Sequence, residues 1–331
     1  MAENAAAHIP VMADRIGELL SPALRAPGAV LVDGTLGMGG HTAALLAAHP
    51  ELRVVGIDRD VTALEFSKAR LSDDLDRVDF VHARYDHIAD VLRELGIGTV
   101  QGILLDLGVS SPQLDEGTRG FAYSYDAPLD MRMDQSQPFT AADVVNTYSA
   151  GELARILRQY GEERFARRIA DAILRERATS PIDSTARLAA IVRDAIPAPA
   201  RRTGGNPAKR SFQAIRIEVN AEISVLEDTL PSAIDQLALD GRIAVLSYHS
   251  LEDRATKRAL SARARDTTPQ DLPVSLPEHQ PELRLLTRGA EVPTAEESGE
   301  NSRAASARLR AAERVRTPRG GKSGHSGQAG G

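Results

Sequence analysis

The sequence predicts an α/β fold: an open sheet of mostly parallel strands, interrupted by an all-helical insertion. Three observations carry that reading. Over residues 1–115, short apolar runs alternate with single helix-length segments, and strands joined by right-handed crossovers lie parallel. Between 140 and 196 the spacing is helical, with no convincing strand. An apolar run, Arg242–Ser247, then resumes the strand pattern.

In chain order, Ala29-Val30-Leu31-Val32 is the first strand, and an alanine-rich helix follows from Thr42 to His49. Arg53–Asp58 and Val78–His82 are the next strands, each followed by a helix, Val61–Leu71 and Asp86–Leu95. Val100–Asp106 is the fourth strand. Within the insertion, Ser149 and Glu152 have the spacing of a capping box. Ile169, Ile173 and Leu174, then Leu188, Ile191 and Val192, form stripes of 3.6-residue period. Pro197–Pro207, with Arg201, Arg202, Gly204 and Gly205, reads as an exposed basic loop. Ile215, Val219, Ile223, Leu226 and Leu230 share a face, so one long helix is expected from Phe212 to Leu239. The strand Arg242–Ser247 precedes a helix over Leu251–Arg263. Leu283–Leu286 and Ala307–Ala312 read as an antiparallel closing pair, although the second segment reads equally as helix. Gly320–Gly331 is low in complexity, as in a disordered tail.

Composition narrows the function. The absence of cysteine excludes disulfides, thiolate metal sites and cysteine nucleophiles. No apolar run approaches the roughly 20 residues that span a bilayer, and the N-terminus lacks a signal-peptide pattern. A soluble, cytoplasmic chain without membrane contact is therefore expected. The net charge is −6, but residues 301–331 hold seven basic residues against Glu313 alone. A basic tail on an acidic body suits a polyanion, and suits a merely solubilising tail equally well.

The loop Asp33-Gly34-Thr35-Leu36-Gly37-Met38-Gly39-Gly40-His41-Thr42 sits between strand and helix, where α/β sheets bind nucleotides. A dinucleotide fingerprint needs G-x-G-x-x-G, and here the sixth position is Thr42. Asp33 would repel a pyrophosphate and favour a cationic amino-acid end, such as that of S-adenosylmethionine. Asp58, closing the second strand, suits the ribose hydroxyls of either ligand. Asp106 ends the fourth strand and opens the loop Asp106-Leu107-Gly108-Val109-Ser110-Ser111-Pro112-Gln113. An exocyclic base amine is conjugated and weakly nucleophilic, so acceptors such as Asp106, Ser110 and Ser111 would orient it toward a methyl group.

Several blocks closely resemble the bacterial 16S ribosomal RNA (cytosine-N4) methyltransferase family: Asp33 to His41, Asp106 to Asp115, Tyr160-Gly-Glu-Glu-Arg-Phe165 and Ser247-Tyr-His-Ser-Leu-Glu-Asp-Arg254. His8 to Met12 and Arg210 to Arg216 are similar to it as well, so the likeness spans residues 8 to 316. The resemblance implies a class I methyltransferase Rossmann-like sheet with an inserted all-helical domain. The sheet domain would take residues 1–115 and 208–316, the insertion 116–207, and a disordered tail 317–331. It implies S-adenosylmethionine as cofactor and a decoding-centre cytosine as target, in 16S ribosomal RNA or the small ribosomal subunit. The backbone of Gly39, Gly40 and His41 would hold the methionine portion, Asp58 the ribose and Tyr85 the adenine, with Asp106 and Gln113 completing the set. His249 reads equally as a hydrogen-bonded structural histidine and as a group that positions the base or removes its proton. No metal is expected. A homodimer, a DNA (cytosine-N4) methyltransferase, an NAD-linked dehydrogenase and a non-catalytic ribosome-assembly RNA-binding protein remain the alternatives.

Overall fold

The computed structural model describes residues 10–108, 119–123, 125–201, 206–269, 279–301 and 304–316. Helix α1 (Ala13–Leu24) leads into β1 (Val30–Asp33), α2 (Gly40–Ala48), β2 (Arg53–Asp58), α3 (Val61–Arg70), β3 (Val78–His82), α4 (Ile88–Glu94) and β4 (Val100–Asp106). The insertion contributes α5 (Ala141–Thr147), α6 (Ala150–Gln159), α7 (Ala166–Arg177), α8 (Thr185–Ala195) and the one-turn α9 (Ala198–Arg201). Next come α10 (Lys209–Asn220), α11 (Glu222–Asp235), β5 (Leu237–Ser247), α12 (Ser250–Arg263), β6 (Leu283–Leu285), α13 (Ala295–Glu300) and β7 (Arg308–Arg314). No helix among the described residues is long and apolar enough to cross a membrane.

The strand order is β3-β2-β1-β4-β5-β7-β6. The first five strands pair in parallel, and β7 runs antiparallel between β5 and β6. This is the class I methyltransferase sheet. Alternate residues of the central strands feed opposite layers, as the strand's two-residue period requires. Val32, Ile103, Leu105 and Val245 pack with α4 and α11. Leu31, Leu104, Ala244 and Leu246 pack with α1 and α2. A separate core, including Val144, Ile156, Ile169 and Val192, fills the insertion.

The long helix expected over Phe212–Leu239 is two helices. Ala221 takes the left-handed conformation (φ 50°) and breaks the run between α10 and α11. Phe212, Ile215 and Val219 then pack into the insertion core, while Leu226 and Leu230 pack on the sheet. The second helix ends at Asp235, and β5 already begins at Leu237. The segment Ala307–Ala312, open between strand and helix in the sequence, is strand, within β7. Ser149 and Glu152 form the expected capping box. The basic loop is only partly a loop: Arg201 ends α9 and donates to the Ile196 carbonyl at 2.7 Å. Residues 202–205 and the tail 317–331 lie outside the described residues.

Buried polar contacts fasten the insertion to the sheet. Arg119 donates to Asp60 at 2.6 Å, with both side chains at most 5% exposed. The same guanidinium donates to the carbonyls of Arg132 and Met133. Asn220 accepts from the Met133 amide at 2.8 Å and donates to the Met131 and Arg216 carbonyls. Removing the guanidinium from a buried carboxylate costs far more than losing a surface pair. Arg119→Ala is therefore expected to lower unfolding free energy by about 3–5 kcal/mol, measured by urea denaturation against the exposed-pair control Arg258→Ala.

Candidate active site

Four parallel strands end at one edge of the sheet, where open α/β sheets form their crevice. Asp33 closes β1, Asp58 closes β2, Asp106 closes β4, and Ser247 closes β5 just before Tyr248 and His249. The Asp33 side chain is buried and faces back into the loop. Its carboxylate accepts from the Thr42 hydroxyl at 2.7 Å and from the Thr35 amide at 3.2 Å. Burial pushes this carboxyl up to about 6, against the lowering effect of the Thr42 hydroxyl, the His41 ring and the Thr35 amide. Gly39 starts α2 in the left-handed region (φ 70°), where a side chain would be strained.

The Asp58 carboxylate accepts from the Gly37 amide and the Asp60 amide, both at 2.8 Å. Burial raises its pKa, and these two amides oppose the rise. The Asp106 amide donates to the Thr35 hydroxyl oxygen at 2.6 Å, so the β1 loop is tied to the end of β4. One Asp106 carboxylate oxygen accepts from the Gly108 amide at 3.3 Å; the other lies 3.3 Å from His41 Nε2.

These groups surround a cavity of about 480 Å³. Gly40, His41, Asp58, Tyr85, Asp106 and His249 line it; Asp33 and Gly39 stand behind that lining. Tyr85 is buried just after β3, and burial pushes its phenol upward. Ser110, Ser111 and Gln113 lie outside the described residues.

His249 has a definite structural task. It is the N-cap of α12, with Nδ1 accepting from the Glu252 amide at 3.4 Å. Glu252 replies by accepting from the Tyr248 and His249 amides at 2.7 and 3.2 Å. His249 Nε2 lies 3.1 Å from the other Glu252 oxygen. An accepting Nδ1 assigns the ring proton to Nε2, which is buried without a hydrogen-bond partner among the described residues. Nδ1 is thus engaged within the capping box, and Nε2 is not.

The cavity also holds residues that sequence patterning did not single out. Arg216 grips both oxygens of Glu222 at 2.9 Å, across the break between α10 and α11. Tyr248, Glu252, Phe212 and Phe121 complete much of the wall. Arg216, Phe212, Tyr248 and Glu252 fall within blocks quoted above for their resemblance, and that was their only signal. Among the described residues, Glu222, His249 and Glu252 bring ligand-type atoms within 4.8 Å of one another. Arg216 occupies Glu222 and two amides occupy Glu252, so the group is a hydrogen-bonded wall rather than an open cation cage.

The remaining block quoted for its resemblance, Tyr160–Phe165, is a contact between the insertion and its neighbours. Glu162 pairs with Arg254 of α12 at 3.2 Å, and Glu163 is buried, accepting from the Phe165 amide. Among the described residues, two arginines of the basic C-terminal segment are committed as well. Arg310 pairs with Asp253 at 2.7 Å, and Arg314 is buried within β7.

The elevated Asp33 value has a stability consequence. In the folded chain the group binds its proton more tightly than at its ordinary value of 3.8. Stability from this group is present below about pH 4 and is lost as pH rises through about 6. Asp33→Asn removes that titration. The stability of the parent relative to Asp33→Asn should fall between pH 4 and pH 6, by at most about 3 kcal/mol, in denaturation curves taken across that range.

Comparison with known proteins places this geometry. Residues 5–315 match the model of the MraW methylase family. The chain is 66% identical over 314 residues to the Ribosomal RNA small subunit methyltransferase H of Thermobifida fusca (strain YX), covering 95% of each chain. It is 62% identical to the protein of that name from Saccharopolyspora erythraea, covering 93% of this chain and 94% of the relative. An rRNA methylase structure from Streptococcus thermophilus aligns over 94% of this chain and 100% of its own, at 12% identity and a TM-score of 0.42. The family match and the two relatives cover nearly the whole length, and on that ground the chain belongs to the MraW methylase family.

Proposed function

We propose that this protein transfers the methyl group of S-adenosylmethionine to the exocyclic N4 of a decoding-centre cytosine in 16S ribosomal RNA. Its membership of a methylase family, and the name borne by relatives of 59% identity and above, support S-adenosylmethionine-dependent methylation of small-subunit ribosomal RNA. Such a reaction belongs to the cytoplasm.

The observation that carries the N4 reading is Asp106, held at the end of β4 on the cavity wall. Bound S-adenosylmethionine supplies an electrophilic methyl. What the protein must add is an oriented amine, because the N4 lone pair is delocalised into the ring. The Asp106 carboxylate accepts an N4–H and turns the lone pair toward the donor. Ser110 and Ser111, on the same loop in sequence, are the further acceptors in this reading. Methylation makes the amine strongly acidic, so no dedicated base is required, and His249 is left to its capping box.

The cavity suits the donor. Asp58 retains lone pairs beyond its two amide bonds, and these would accept from ribose hydroxyls. The backbone at Gly39, Gly40 and His41 would meet the methionine end, with Asp33 shaping that loop from behind. Tyr85 would flank the adenine and Gln113 would complete the set. The sheet domain (1–115 and 208–316) takes the donor in this reading. The insertion (116–207), with α10 packed in its core, meets the RNA. Recognition of a single base in folded RNA requires it to be splayed from its stack. Exposed Lys209 and Arg210 beside the cavity would contact phosphate, a contact that weakens with salt.

Nucleoside mass spectrometry of 16S RNA tests the proposal. Deleting the gene should abolish N4-methylcytidine at one site, and the parent gene should restore it. Asp106→Ala should restore less than about a hundredth of the parental rate. An unchanged N4-methylcytidine level in the deletion strain would refute the assignment.

A further inference from the structure

We infer that Tyr248 is a positioning residue for the methyl transfer, acting through a hydrogen bond from its hydroxyl to the Asp106 carboxylate; this rests on the reading of Asp106 given above. Tyr248 follows β5 and lines the same cavity as Asp106. Its ring stands against Gly108, two residues past Asp106, and the Asp106 charge bears on its hydroxyl.

The two residues leave adjacent, paired strands. Asp106 on β4 stands in register with Leu246 on β5, and the Leu107 amide donates to the Leu246 carbonyl at 2.9 Å. Tyr248 lies two residues beyond that partner. Its ring is laid against the backbone just after Asp106. A Cβ at Gly108 would stand 2.8 Å from Tyr248 Cε2 and 3.1 Å from Cζ, so only glycine leaves room for the phenol. The backbone of Tyr248 is fixed from the other side, since its amide donates to Glu252 at 2.7 Å. Position 108, the β4–β5 register and the α12 capping box therefore aim one hydroxyl at one carboxylate.

The chemistry of that hydroxyl is restricted to donation. Burial, then the nearby Asp106 carboxylate, push the phenol far above its ordinary range, with the Glu252 charge adding to the effect. A phenol held protonated cannot accept a proton from the amine. It can fix a carboxylate whose other neighbours are the Gly108 amide and the His41 ring. A carboxylate gripped on its flanks offers its remaining lone pairs in one direction only, as an amine acceptor needs. Without the hydroxyl, the carboxylate gains rotational freedom, and the fraction of aligned encounters falls.

The test is single-turnover methylation of 16S RNA with excess enzyme, beside calorimetric binding of S-adenosylhomocysteine, for Tyr248→Phe, Asp106→Ala and the double variant. Tyr248→Phe keeps the ring and removes the donor. It should lower the transfer rate roughly 10- to 100-fold, with S-adenosylhomocysteine affinity and the RNA concentration for half-maximal rate both within about twofold of parent. In the Asp106→Ala background, the same change should slow the residual rate no further. Retention of the parental rate by Tyr248→Phe would overturn the inference. So would an equal fractional loss with and without Asp106, which would mark Tyr248 as acting independently. If Asp106→Ala itself transfers methyl at the parental rate, the amine-acceptor reading of Asp106 fails instead.

Discussion

The buried Asp33 carboxylate is the contact from which the rest of the site is built. β1 lies between β2 and β4, with Asp33 in register with Gly56 on one side and Leu104 on the other. A loop leaving such a central strand touches both neighbours, and Asp33 decides its path. The Thr42 hydroxyl ties the start of α2 to it, and the Thr35 amide ties the first turn of the loop. Thr35 then uses its own hydroxyl oxygen to hold the Asp106 amide, and Gly37 uses its amide to hold Asp58. Three strand ends are thereby fixed relative to one another by groups that cost desolvation energy to bury. The upward-shifted pKa of Asp33 is the signature of that cost.

The insertion completes the cavity instead of merely standing beside it. The chain leaves the sheet after β4 and returns through α10 and α11, whose junction at Ala221 is left-handed. That one residue lets two consecutive helices serve different cores. Arg119 on Asp60 and Asn220 on the Met131–Met133 backbone hold the entry and the return of the insertion against the sheet. Arg216 and Glu222, one on each side of the junction, then stand together on the cavity wall.

How much of this was legible in the sequence follows from what sequence patterns record. The parallel strands were legible because strands buried on both faces are continuous apolar runs. Asp58 and Asp106 were legible because the last residue of a parallel strand meets the crevice. The break at Ala221 was not, because the spacing of Ile215, Val219, Ile223, Leu226 and Leu230 continues across it; periodicity registers burial, and both helices bury that face. An alanine in the left-handed region gives no warning of the kind glycine would. His249 was ambiguous because histidine is an uncommon N-cap, and its partner Glu252 becomes visible as one only when the ring is placed. Charge counting credited the tail with arginines that β7 pairs or buries, since a count carries no information about partners.

The charge around the cavity is of both signs, and the acidic groups lie deeper than the exposed cations. Its acidic groups are the sequestered ones: Glu222 and Glu252 are buried, and Asp58 and Asp106 are half-buried. Its exposed charged lining groups are basic, Arg70 and Lys209. Arg216 neutralises Glu222, and the half-buried Arg59 and Arg84 line the same interior, which leaves Asp58 and Asp106 at the strand ends to favour a ligand carrying positive charge. Exposed cations at the mouth do the reverse, drawing in a polyanion while screening weakens them with salt. Under the proposed reaction, the strand-end carboxylates would face the cationic donor and the exposed cations the RNA backbone.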